Sequence, residues 1–226
     1  MFIGHFAPAF AARALTNEAP KLGTLFVAAQ LVDIGFFLLL LSGIEQFRIE
    51  PGATAMNPFD FYHYPYTHSL LGTAGWALGF AFIVWLSLRN TVAATWAALV
   101  VMSHWLLDYV SHRPDLTLAG GDKLLGLGLW NYPVATIAAE LALFAGAFWW
   151  YLRRTRGPSL PPLILAVVMI LMQVLNWFGP QPVVVDSSLP VSGLLAFALL
   201  AGLAYWVGST RHHCNESGLS SSSGRL

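Results

Sequence analysis

The chain has 226 residues, 57% of them hydrophobic and only 10% charged. A soluble domain carries about 25% charged residues, so this composition belongs to a polytopic membrane protein. Eleven Lys and Arg balance eleven Asp and Glu, without the basic stripe that a nucleic-acid partner would need. A single cysteine, Cys214, excludes an internal disulfide and a thiolate metal cage.

Residues 2–15 are apolar but too short for an ordinary span, and they hold His5 and Arg13 without the basic start and long apolar core of a signal peptide. They read either as an interfacial helix or as a short helix that enters the membrane. Six apolar stretches follow, at 22–44, 66–88, 92–110, 129–152, 162–178 and 189–207. Each is close to the ~20 residues that cross a hydrocarbon core. The breaks between them are turn-like: Glu50-Pro51-Gly52, Arg89-Asn90, the stretch from Pro114 to Lys123, Arg156-Gly157-Pro158 and Gly179-Pro180-Gln181-Pro182. The expected fold is all-α, a polytopic helical bundle of six transmembrane helices plus a short N-terminal helix. It forms one domain over residues 1–210, with a disordered polar tail at 211–226.

In a six-span arrangement Arg13, Lys21, Arg89, Arg153, Arg154, Arg156 and Arg211 fall on one side, and Arg48, Arg113 and Lys123 on the other. The first side is expected to be cytoplasmic. The loops at 45–65 and 112–128 then face the periplasm or exterior, and the C-terminus is cytoplasmic.

Ionisable residues inside the apolar spans stand out, because each is costly in a bilayer and marks a functional candidate. Ser103-His104-Trp105-Leu106-Leu107-Asp108-Tyr109-Val110-Ser111-His112 sets His104, Asp108 and His112 four residues apart, on one helical face. Counting ~1.5 Å of rise per residue from the cytoplasmic ends, Asp33, His104, Asp108, Glu140 and an inserted His5 reach one layer. His63 and His68 lie just above it. His112 and Arg113 fall at its mouth. Tyr62, Tyr64, Tyr66 and several tryptophans fit an aromatic interface belt, and Asp115 reads as a solvated loop residue. Imidazole and carboxylate without thiolate suit zinc, with manganese or iron as alternatives. No Gly-x-Ser-x-Gly, P-loop or His-Glu-x-x-His signature occurs.

These elements resemble a known group. Gly4-His5, the acid Asp33 in the first span, Tyr66-Thr67-His68-Ser69-Leu70-Leu71 and Ser103-His104-Trp105-Leu106-Leu107-Asp108 are similar to the metal-dependent hydrolase family of bacterial inner membranes, the LexA-binding, inner-membrane-associated type. That group is itself distantly like zinc-dependent phospholipase C. The resemblance covers about the first two-thirds of the chain and implies His5, Asp33, His68, His104 and Asp108 as metal ligands. The chain departs from the pattern after Asp33, where Ile34-Gly35-Phe36-Phe37 lacks the Pro-Asp pair.

The expected function is a membrane-embedded hydrolase of a lipid or other phosphoester, using a metal-bound hydroxide in an outward-opening cleft. Glu140 or His112 would serve as base, and His63, Arg113 and Lys123 would meet an anionic substrate. The alternative is a transporter or proton-conducting protein using the same buried cluster. Repeated halves and paired broken spans, which mark many transporters, are not evident in the sequence.

Overall fold

The structure, a computed structural model, describes residues 1–214. A 3-10 turn (Ile3–Phe6) runs into α1 (Ala7–Leu15), with Pro8 in its first turn, where the missing N–H is harmless. Then come α2 (Leu22–Leu41), strands β1 (Gln46–Ile49) and β2 (Phe59–His63), the single turn α3 (Pro65–His68), α4 (Leu70–Leu88) and α5 (Thr91–Ser111). The chain continues through α6 (Pro133–Arg154), β3 (Thr155–Arg156), α7 (Leu160–Phe178), α8 (Ser188–Thr210) and β4 (His212–His213). Among the described residues, α2, α4, α5, α6, α7 and α8 are long and apolar enough to cross a membrane. At ~1.5 Å per residue their 19 to 23 residues match the ~30 Å hydrocarbon core. The protein is an all-α, multi-pass membrane bundle.

The expected second span, 66–88, is divided. Ser69 is extended, and its Oγ accepts from the Gly72 N–H at 2.9 Å, capping α4. His68 therefore rides on its own turn, whose Ser69 Oγ donates back to the Pro65 carbonyl. Arg89 takes a left-handed conformation (φ 51°), and the Asn90 side chain then caps α5. The two-residue turn makes α4 and α5 an antiparallel pair.

Residues 3–15 lie inside the bundle rather than on its surface. Ile3, Phe6, Ala9, Phe10 and Ala14 are fully buried, and α1 packs on α2, α5 and α6. An apolar segment with no polar face has no reason to stop at the interface. Helix α2 is the central post. A Cβ at Gly23 would lie 2.8 Å from the Tyr205 backbone, so glycine permits the near contact of α2 with α8.

The 112–128 loop closes one end of the bundle. It supplies the carbonyls of Thr117 and Leu118 to the Leu70 and Leu71 N–H groups, and its Leu127 and Gly128 N–H groups bond the Tyr109 and His112 carbonyls. Helix ends that would otherwise leave polar groups unmet are thus satisfied. Gly126 (φ +152°) is needed there, since a Cβ would collide with the Arg113 carbonyl. Beside this loop stands the β1–β2 hairpin, absent from the sequence expectation of a plain loop. Its Phe47 packs with Phe36, Tyr64 and Leu116 as a second, smaller apolar core.

At the opposite end, residues 211–214 are packed rather than a free tail. Arg211 is buried, and β4 pairs with β3. The rest of the expected disordered tail, 215–226, lies outside the described residues.

Candidate metal centre

Asp108 is the hub of the site. Its spacing on α5 puts it one turn from His104 and one turn from His112, and both ring nitrogens reach it: His104 Nε2 at 3.1 Å and His112 Nε2 at 3.5 Å. The N-terminal turn brings His5 Nε2 to 3.2 Å and α3 brings His68 Nε2 to 3.7 Å of the same carboxylate. From α2, Asp33 Oδ1 meets His68 Nε2 at 3.3 Å and His104 Nε2 at 3.5 Å. The His5 and His104 rings stack in parallel with centroids 3.9 Å apart. Four imidazoles and two carboxylates from four segments thus share one volume. Two triads, His5–His104–Asp108 and Asp33–His68–His104, each have donor atoms within 4.8 Å of one another.

The tautomers of three histidines follow from their outer partners. His104 Nδ1 lies 2.8 Å from the Ala29 carbonyl. A carbonyl only accepts, so Nδ1 carries the proton. Thr67 Oγ donates to Glu45 Oε2 at 2.6 Å, and its one proton is thereby used. His68 Nδ1, 2.8 Å from the same Oγ, must then be the donor to it. Glu45 is itself fixed by the N–H groups of Tyr66 and Thr67. His112 Nδ1 donates to Asp115 Oδ1 at 3.0 Å, and the Tyr64 hydroxyl donates to that oxygen at 2.7 Å. Burial and then the Asp115 carboxylate hold the Tyr64 phenol well above its ordinary range, so it stays a donor. In the neutral ring of each, the Nε2 lone pair then points inward. Metal-binding histidines are oriented by outer carboxylates and carbonyls in this way.

The inward atoms lack hydrogen-bond partners of their own. His5 Nδ1, His5 Nε2 and His104 Nε2 are buried and unpartnered, their approach to the carboxylates being too poorly aligned for a hydrogen bond. Orphaned buried nitrogens are expensive. A cation at the common focus would engage His5 Nε2 and His104 Nε2, and the imidazole and carboxylate donor set fits zinc, manganese or iron.

The structure brings together His5, Asp33, His68, His104 and Asp108, the residues implied by the resemblance. It adds His112, buried in the cluster rather than standing at an entrance, with the Trp130 ring tilted against it at 4.3 Å. Glu140 lines the same cavity, but its Oε2 accepts from the backbone N–H of Phe2 at 2.8 Å and of Gly4 at 3.4 Å. Gln173 of α7 accepts from the intervening Ile3 N–H at 3.0 Å. Three consecutive amides of the turn that carries His5 are thus held by two buried side chains.

The residues expected to meet an anion lie elsewhere. Arg113 pairs with Asp60 and, at 3.6 Å, with Asp115, in a polar cleft on the far side of His68. His63 is exposed at that cleft, edge-on to Tyr66. Lys123 is exposed on the 112–128 loop and lines neither cavity.

Glu45, Thr67, Tyr64, Asp115 and Trp130 were not singled out as site residues from the sequence. Only Asp115, three residues after His112, carried a local signal. Comparison with family models, with curated proteins and with solved structures finds no match for this chain.

Proposed function

We propose that the protein is a membrane-embedded, metal-dependent hydrolase acting on a lipid or other phosphoester. The observation that carries this reading is Asp108 within 3.1 to 3.7 Å of four imidazole nitrogens, three of them on rings whose outer nitrogens are committed as donors. His5, Asp33, His68, His104, Asp108 and His112 would hold the cation. A divalent ion bound there activates water and polarises the scissile bond.

The chain's own residues do the rest. Glu45 through Thr67, Asp115 with Tyr64, and the Ala29 carbonyl keep three Nε2 atoms aimed inward without reorganisation. Glu140 and Gln173 hold the fourth histidine's turn in place. Of the two cluster carboxylates Asp33 is the more open to the cavity, its side chain 24% exposed against 3% for Asp108. Its oxygen not engaged by the cation would take the proton of attacking water. In the reaction the water oxygen bonds to phosphorus, the bond to the leaving oxygen breaks, and the proton passes to that oxygen.

The setting proposed is the bacterial inner membrane, with the C-terminus cytoplasmic and the cluster toward the periplasm. Its support is that Arg13, Lys21, Arg153, Arg154, Arg156 and Arg211 gather at the end of the bundle away from the cluster, as cytoplasmic cations would.

Elemental analysis of the purified protein, together with turnover of a 4-nitrophenyl phosphodiester, tests the reading. The expected result is stoichiometric zinc, manganese or iron and hydrolysis lost in His104→Ala. Protein without bound metal, or turnover unaffected by His104→Ala, overturns it.

A further inference from the structure

A cavity of about 350 Å³ lies in front of the cluster, and its walls are of two kinds. One end is the imidazole and carboxylate group. The remainder is mostly aromatic and aliphatic, with Phe36 and Phe37 of α2, Phe47 and Phe61 of the hairpin, Trp177 of α7 and Leu189 of α8, interrupted by Asn57, Asn176, Gln181 and Ser192. Among the described residues no Lys or Arg side chain lines it. Arg48 and Arg113, at the neighbouring polar cleft, are both paired with Asp60. A small soluble phosphoester entering here would give up water on its whole body for a wall whose one cationic group, the Met1 ammonium, is already paired with Asp108 at 3.5 Å. A ligand with a hydrocarbon body loses nothing by the same contact.

The cavity also has an apolar exit. Leu175, on its lining, is 68% exposed, and Phe178 at the end of α7 is 71% exposed. Val183, in the following loop, is 83% exposed. Because α7 is long and apolar enough to cross the membrane, its final turn sits where the hydrocarbon core meets the headgroups. An exposed apolar rim at that level leaves the cavity continuous with lipid rather than with water.

From this continuity we infer that the hydrolysed molecule is a membrane lipid whose chain lies along Phe36, Phe37, Trp177 and Leu189, having entered between the end of α7 and the start of α8. The inference rests on the hydrolase reading for its catalytic meaning. The chain contact itself does not depend on metal. A chain passing from the bilayer into such a wall exchanges one apolar surrounding for another at no hydrophobic cost, so the cavity accommodates the chain while the cluster handles the polar group.

The test is photolabelling of the full-length protein in vesicles of phosphatidylethanolamine and phosphatidylglycerol. The vesicles are doped with phosphatidylglycerol bearing a diazirine at mid-chain, and the adducts are mapped by mass spectrometry. Expected adducts fall on the buried Phe36 and on Leu189, besides the outward-facing Leu78 and Phe82 of α4, which report ordinary bilayer contact. Ser192 is an exposed residue at the cavity wall, so Ser192→Trp fills the space without disturbing the core. It is expected to lower the cavity adducts at least about tenfold relative to those on α4, because the indole occupies the volume the chain would take. Labelling confined to Leu78 and Phe82, or cavity adducts indifferent to Ser192→Trp, overturns the inference. Loss of the cavity adducts with metal retained defeats the chain site alone. Intact cavity adducts in a protein without metal defeat the hydrolase reading alone.

Discussion

Both ends of the bundle bury charged or polar groups, and they treat them in opposite ways. Arg211 sits beneath β3 with four of its five guanidinium N–H groups matched: Nε to Thr155 Oγ, Nη2 to the Thr155 carbonyl, and Nη1 to the carbonyls of Gly157 and Pro158. Arg13, half-buried, is also held by backbone, its Nη1 donating to the carbonyls of Asn17 and Ala19. At the cluster, by contrast, carboxylates are shared among several imidazoles and three buried nitrogens find no hydrogen bond. A buried cation held by backbone acceptors is a clasp between chain segments. Two of those nitrogens, His5 Nε2 and His104 Nε2, face the same carboxylate with no hydrogen bond, an arrangement suited to something other than a clasp.

Substitutions at the two ends sharpen this contrast. The largest effect is expected from Asp108→Asn, which removes the shared anion. Bound metal should fall from stoichiometric to background, read by elemental analysis. Metal retained in this variant would place the cation elsewhere. Arg211→Met should do the reverse, leaving metal content unchanged while lowering stability by about 3 kcal/mol, since several buried acceptors lose their donor at roughly 1–3 kcal/mol each. Denaturant unfolding monitors it, and a loss of metal without loss of stability would dissolve the distinction between the two ends.

Outer partners come next. Thr67→Val takes away the acceptor of the His68 Nδ1 proton and is expected to weaken metal binding by about 10–100-fold in chelator competition. Glu140 separates two roles by one pair of variants. As holder of the Phe2 and Gly4 amides, it should tolerate Glu140→Gln, which keeps a carbonyl acceptor, and fail as Glu140→Leu, with residues 1–15 opened to protease. As a proton acceptor it would lose turnover equally in both. The smallest effect is expected at Lys123→Ala, where turnover should stay within about twofold, a surface change away from the site. A larger drop would bring the 112–128 loop into substrate binding.

Much of the architecture was legible in the chain. The span limits follow from uninterrupted apolarity and from punctuation such as Arg89-Asn90 and Gly179-Pro180, because a bilayer demands ~20 apolar residues wherever it is crossed. The hairpin was hidden since its Phe47, Phe59 and Phe61 are few and spaced by long turns. The split at Ser69 was masked by apolar residues on both sides.

For the site, the sequence by itself determined that His104, Asp108 and His112 share a face, because helical spacing is local geometry. It also marked Asp33 and Glu140 as acids with no cheap place in a membrane. Only the tertiary structure decided where each is used. It turned Glu140 onto the backbone of residues 2–4 and drew His112 into the cluster. It recruited Glu45 and Asp115 from loops and Thr67 from α3 to set tautomers. These pairings join residues up to 138 positions apart, and no local pattern encodes which buried acid meets an amide and which meets an imidazole.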